Sequence, residues 1–185
     1  MRDYTPRRYD AGRGELALDF VMHHDGPATD WARHARPGHF LGIGGPRGSL
    51  VTPVGFDWHL LIGDETAVPA IARRLEELPA SSRAIVRIRI SRDDGRIPLQ
   101  AACPLDLEWL VGEPGEADSG AGVLEAATRA LSLPTGEGYA WAAGEYSKIK
   151  AVRRHLVDVH GLDKGRIRAA SYWRRARPAT HEQFE

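Results

Sequence analysis

Two short stretches concentrate the residues that could do chemistry: GDETA at residues 63–67 and GEYSK at residues 144–148. Each follows an apolar run, WHLLIG in the first case and YAWAAG in the second, and each leads into residues with helical spacing. A strand that turns directly into a helix presents unpaired N–H groups just beyond the carboxyl edge of its sheet, where phosphates and other anions bind. Gly63, Asp64, Glu65, Thr66 and Ala67, with Gly144 and Glu145, are therefore candidate ligand-binding residues, and two such ends in one sheet can face one ligand. The spaced glycines of the common dinucleotide fingerprint are missing. Helix capping by Asp64 to Thr66 is the competing explanation of the first stretch.

These junctions need a sheet to carry them. From residue 57 onward the runs WHLLIG, RAIVRIRI, LDLEWLV, YAWAAG and RIRAASYW read as strands interspersed with three helical patterns, an α/β layer arrangement. The first helix carries Val68, Ile71, Leu75 and Leu78, and the third carries Ile149, Val152, Leu156 and Val159, so each has one apolar stripe to lay on a sheet. The polar, glycine-rich residues 112–122 predict a loop before the middle helix. Residues 1–56 read differently. Leu16, Leu18, Phe20 and Met22 alternate along residues 15–23 as in a half-buried strand, a short helix starts at Pro27, and HFLGIGGP at residues 39–46 predicts another strand. Residues 49–57 are a turn-rich connection. The expected layout is a β-rich part over residues 1–56, an α/β domain over 57–177 and a flexible tail over 178–185.

Composition narrows the function classes. With 185 residues and 42% hydrophobic side chains the chain can bury a real core. Its 25 basic and 25 acidic side chains cancel, so no overall field gathers nucleic acid or an anionic membrane. No apolar run is long enough to span a bilayer. The single cysteine, Cys103, has no disulfide partner and no neighbouring histidine, which fits a buried structural thiol in a reducing, cytoplasmic setting. The eight histidines show no metal-ligand spacing, and adjacent His23 and His24 would point to opposite faces of a strand.

GDETAVPAIARRLEELP, the later WAAGE, the terminal SYWRR, and the N-terminal RDYTPRRYD and DFVMHHDGPATDWA together resemble the siderophore-interacting proteins, which are flavin-dependent ferric-siderophore reductases of the ferredoxin-reductase type. The order and spacing of these blocks agree over essentially the whole chain. The resemblance implies a partial FAD-binding β-barrel followed by a parallel-sheet α/β domain that binds NAD(P)H. It places Arg2, Tyr4 and Thr5 at FAD, with a guanidinium for the pyrophosphate and a phenol ring beside the isoalloxazine. It also places His23, and Ala28 and Thr29 at the start of a short helix, at the FAD phosphates, and the two strand–helix junctions at NAD(P)H. Its substrate would be a ferric siderophore, received by basic side chains among which Lys148 and Arg174 are the candidates. No residue is implied as an acid, base or nucleophile, and no protein metal site is needed.

The chain departs from this pattern at its beginning, since family members carry several barrel strands before Arg-x-Tyr-Thr. A half barrel would expose strand edges, so a start codon further upstream is expected, with a fragment, or completion of the sheet by a partner or self-association, as the alternatives. His24 and Ser171 stand where the family usually has glycine. Two alternatives stay open: a flavin-free nucleotide- or siderophore-binding module, and a general flavin reductase with another electron acceptor.

Overall fold

The computed structural model describes residues 3–22, 26–45, 51–112, 122–174 and 182–184. Near the N-terminus, strands β1 (Pro6–Asp10) and β2 (Glu15–Leu18) pair antiparallel as a hairpin. Asp10 shapes its turn: Oδ1 accepts from the amides of Gly12 and Arg13 at 3.0 and 3.1 Å, and Gly14 takes the left-handed conformation at φ 65°. Helix α1 (Pro27–His34) then starts as expected, with proline in its first turn.

Two strand expectations in this region need correction. Among the described residues, the strand expected over 15–23 pairs only over Glu15–Leu18, and Leu16 is 38% exposed. Residues 39–45 of the other carry no strand pairing, and Phe40 is 95% exposed. Pro46 lies outside the described residues. A strand-like composition makes a strand only where a neighbour supplies the ladder of N–H and C=O partners.

The remainder is a doubly wound α/β unit. In chain order it contains β3 (Trp58–Asp64), α2 (Val68–Glu77), β4 (Arg83–Ile90), β5 (Leu105–Val111), α3 (Val123–Arg129), β6 (Gly138–Glu145), α4 (Tyr146–Asp158), β7 (Ile167–Trp173) and β8 (Glu182–Phe184). The sheet order is β5-β4-β3-β6-β7-β8, parallel throughout except for β8, which runs antiparallel to β7. Within the tail expected to be flexible, Glu182–Phe184 pairs as an edge strand. Residues 113–121 of the glycine-rich loop lie outside the described residues.

Every residue of β3 is buried, which is why it reads as a continuous apolar run and not an alternating one. On one face Val68, Ile71, Leu75 and Leu78 pack on Leu61, Val86 and Ile88; on the other Ile149, Val152 and Leu156 pack on Leu60, Ile62, Ala140 and Ala142. Each of the leucine, isoleucine and valine side chains among them contributes roughly 1.5–3 kcal/mol of apolar burial. Val159, expected in the second stripe, is 66% exposed because α4 ends at Asp158. Among the described residues no helix is long and apolar enough to cross a membrane.

Candidate functional site

The chain leaves β3 toward β4 and β5 on one side and returns to build β6 and β7 on the other, so the strand order reverses between β3 and β6. Open α/β sheets bind ligands in the crevice at such a reversal, outside the carboxyl ends of the strands. Both sequence-predicted junctions end there. Gly63 is in register with Ala143, which brings Gly63–Asp64 and Gly144–Glu145 side by side.

Asp64 organises this crevice. It is 5% exposed, and its Oδ1 accepts from the Thr66 amide at 2.9 Å and the Thr66 hydroxyl at 2.5 Å. Its Oδ2 accepts from the Glu145 amide at 2.8 Å and the Trp173 indole Nε1 at 2.9 Å. Burial pushes the Asp64 carboxyl above its ordinary range, and these four donors pull it back. Two glycines make the approach sterically feasible. A Cβ on Gly63 would lie 2.5 Å from Ala67 Cβ, and one on Gly144, whose φ is 151°, would lie 2.5 Å from Asp64 Oδ2.

The other acidic residues tie the same edge together. Glu65 accepts from the Ser91 amide at 2.9 Å and hydroxyl at 2.8 Å, joining the ends of β3 and β4. Glu145 caps α4, its Oε2 accepting from the amides of Ser147 at 2.7 Å and Lys148 at 3.1 Å. Ala67 is fully buried beneath them. The capping explanation of GDETA therefore describes Asp64 and Thr66 well, and the crevice position holds at the same time.

The N-terminal residues reach this edge from the other part of the chain. The Thr5 side chain lies by the Tyr172 phenol, which burial pushes up to about 12 and Thr5 pulls down. Tyr172 also meets the Trp141 ring edge-on at 6.3 Å. Tyr4 packs on Phe20 at 4.7 Å, and Phe20 on Trp31 at 5.8 Å, leaving Tyr4 38% exposed. At the start of α1 the N-cap is Gly26, which brings no side chain of its own to the first-turn amides of Ala28 and Thr29. A helix start whose N-cap is glycine and a partly exposed phenol ring fit the phosphates and the ring system of FAD. Arg2 and His23 lie outside the described residues.

Lys148 sits in the first turn of α4, its side chain along Gly122, and Arg174 follows the end of β7. The Arg174 guanidinium lies 3.6 Å over the Tyr146 ring, and Lys150 Nζ lies 6.0 Å from that ring's centroid. The two predicted basic residues, from α4 and from the end of β7, thus gather at the start of α4. Ser91, Tyr146, Tyr172 and Trp173 were not among the predicted site residues. For Ser91 the sequence carries no signal, whereas the aromatic pair at the end of an apolar strand, SYW, marks the other junction.

A doubly wound sheet with a crevice at its topological reversal, preceded by an N-terminal hairpin and a short helix, is the arrangement of ferredoxin-reductase-like flavoproteins. The comparisons agree: the siderophore-interacting protein profile matches residues 56–176 and the siderophore-interacting FAD-binding domain profile matches residues 1–50. The chain belongs to the siderophore-interacting protein family. It is 34% identical to the ferric vibriobactin reductase ViuB of Vibrio cholerae over 98% of this chain and 68% of that protein. It is 36% identical to the NADPH-dependent ferric-chelate reductase of Escherichia coli over 93% of this chain and 65% of that protein. Among solved structures, a siderophore utilization protein from T. fusca superposes with TM-score 0.84 at 38% identity, covering 95% of this chain and 67% of that one. The siderophore-interacting protein SipS from Aeromonas hydrophila superposes at 0.80 with 30% identity, covering 94% of this chain and 72% of that one. The chain spans about two thirds of the length of these relatives.

Proposed function

We propose that this chain acts as a flavin-dependent ferric-siderophore reductase, taking electrons from NAD(P)H and delivering them to chelated Fe(III) in the cytoplasm. The observation that carries this reading is the meeting of the two strand–helix junctions at the sheet's topological reversal, where Gly63 is in register with Ala143 and the Glu145 amide donates to Asp64 at 2.8 Å. Bound FAD supplies a carrier that accepts two electrons as hydride and releases them one at a time. One NAD(P)H reduces two Fe(III) to two Fe(II), with NAD(P)+ and one proton as the other products. Fe(II) is the softer ion, so hard oxygen donors hold it less tightly and the iron is freed.

The chain's own residues bind and orient. The amides of Ala28 and Thr29, with Arg2 and His23 by resemblance, receive the FAD phosphates, and Tyr4 and Thr5 lie beside the ring system. Gly63 to Ala67 and Gly144 to Glu145 form the crevice for the nicotinamide nucleotide. Lys148 and Arg174 attract an anionic chelate to the same edge. The test is anaerobic: FAD-loaded protein is mixed with NADPH, then with a ferric siderophore and a ferrous-specific chromophore. Bleaching of the visible flavin absorbance followed by formation of the ferrous complex is expected. No flavin retention, or bleaching without iron reduction, overturns the reading. Faster turnover of free flavin than of the ferric chelate moves it to a general flavin reductase.

A further inference from the structure

We propose that Asp64 is a positioning residue, holding the Trp173 indole and the Glu145 amide so that the ends of β6 and β7 frame the nucleotide crevice, without itself touching the nucleotide. The inference rests on the nucleotide reading above only for what the crevice holds. A carboxylate has about four acceptor sites on its two oxygens. Asp64 fills four: the Thr66 amide and hydroxyl on Oδ1, and the Glu145 amide and Trp173 indole on Oδ2. Nothing remains with which to accept from a ribose hydroxyl or a carboxamide. The side chain is also enclosed, 5% exposed and pressed against Gly144.

The partners show what it positions. Glu145 is 81 residues away in sequence and Trp173 is 109, so one carboxylate pins the ends of three parallel strands, β3, β6 and β7. Glu145 in turn caps α4 through Ser147 and Lys148, so its amide fixes the start of the helix carrying a predicted substrate cation. Trp173 follows Tyr172, whose phenol meets Thr5 of the flavin motif. Glu145 and Trp173 also face each other across the irregular end of the β6–β7 ladder, where regular register no longer sets their spacing. The carboxylate supplies there the constraint that the ladder does not.

The substitution Asp64→Asn keeps size and turns one acceptor oxygen into an NH2 donor facing two donors. The experiment uses FAD-loaded, 15N-labelled protein, with Trp173→Phe to assign the indole N–H resonance, and NADP+ titrated into each variant. Expected are displacement of the Trp173 indole resonance and the Glu145, Ser147 and Lys148 amide resonances in Asp64→Asn, and a drop in NADP+ affinity of about tenfold. Trp173→Phe also weakens NADP+, and the double variant is no weaker than Asp64→Asn alone. An unmoved indole resonance, or losses that add in full in the double variant, overturns the proposal and makes Asp64 a direct contact. Should Asp64→Asn not fold, Trp173→Phe decides: weakened NADP+ supports the proposal, and unchanged affinity overturns it. Should the unaltered protein not bind NADP+, the functional reading fails, and the displacement of the four resonances still decides the role of Asp64.

Discussion

His59 is the second residue of the buried strand β3 with no exposed surface, and among the described residues neither ring nitrogen has a partner in hydrogen-bonding geometry. Phe56 lies edge-on at 6.1 Å and Tyr139 tilted at 6.3 Å. Burial, then the Arg74 guanidinium, holds its pKa down to about 4 from 6.5, the Val54 carbonyl favouring the cation only weakly. A depressed pKa means that the unfolded chain binds the proton first as pH falls. The stability that neutral His59 allows is therefore complete above about pH 6.5 and is lost as pH falls toward about 4, by on the order of 2 to 3 kcal/mol. His59→Leu, apolar and of similar volume, is expected to flatten that slope while matching or exceeding the original stability at pH 7. Urea unfolding at pH 7 and pH 5 checks this, and the difference between the two proteins isolates His59 from carboxylates that titrate in the same range. A parallel slope in both would show that the imidazole carries none of the effect. Gly144 offers a second residue-level prediction. Alanine there brings Cβ to 2.5 Å from Asp64 Oδ2 at an unfavourable φ, so Gly144→Ala is expected to cost on the order of 2 kcal/mol in the same unfolding measurement.

At the scale of elements, the start of α4 joins capping to function. Glu145 takes two first-turn amides, and its removal leaves them without a side-chain acceptor. Glu145→Ala is expected to cost about 1 kcal/mol of stability and to raise the Kd for NADP+ while leaving FAD retention unchanged. Equal loss of both cofactors would make its role purely structural. The same element shows what the sequence conveyed. The stripe Ile149, Val152, Leu156 was legible because all three face a sheet, and the strands WHLLIG, RAIVRIRI and LDLEWLV were legible because burial on one or both faces dictates their composition. Hairpin strand β1, PRRYD, escaped notice because its exposed, charged residues carry no burial pattern. The reverse error came at HFLGIGGP, where apolar residues imply pairing that residues 39–45 do not make. In the site, both junctions could be seen because glycine followed by an acid after an apolar run is a local signal. The convergence of Thr66, Glu145 and Trp173 on Asp64 could not, since it depends on strand order, and strand order is not written in any one segment.

Over the whole molecule, the two parts meet along a seam that is mainly polar among the described residues. Arg7 donates to Glu76 at 2.8 and 2.5 Å, drawing that carboxyl below its usual range, and Arg73 donates to the Pro6 carbonyl at 2.7 Å. Arg74 donates to the carbonyls of Thr52 and Pro53, and Ser82 to that of Phe56 at 2.8 Å, so α2 and the loop before β4 hold both the hairpin and the connection. Seams of this kind set orientation more than stability, because exposed ion pairs contribute little free energy each. Their value lies in geometry: hydride transfer between two bound rings falls about a hundredfold for a misplacement of about 1 Å. Replacing Arg7 and Arg73 together by alanine removes the ties from α2 to β1 while leaving the crevice and the α1 start intact. FAD and NADP+ are expected to bind the variant nearly as before, while flavin reduction by NADPH under anaerobic rapid mixing slows by about tenfold or more. An unchanged reduction rate would mean that the Thr5–Tyr172 contact and the connection alone fix the two parts, and that the arginines of α2 and β1 only decorate their surface.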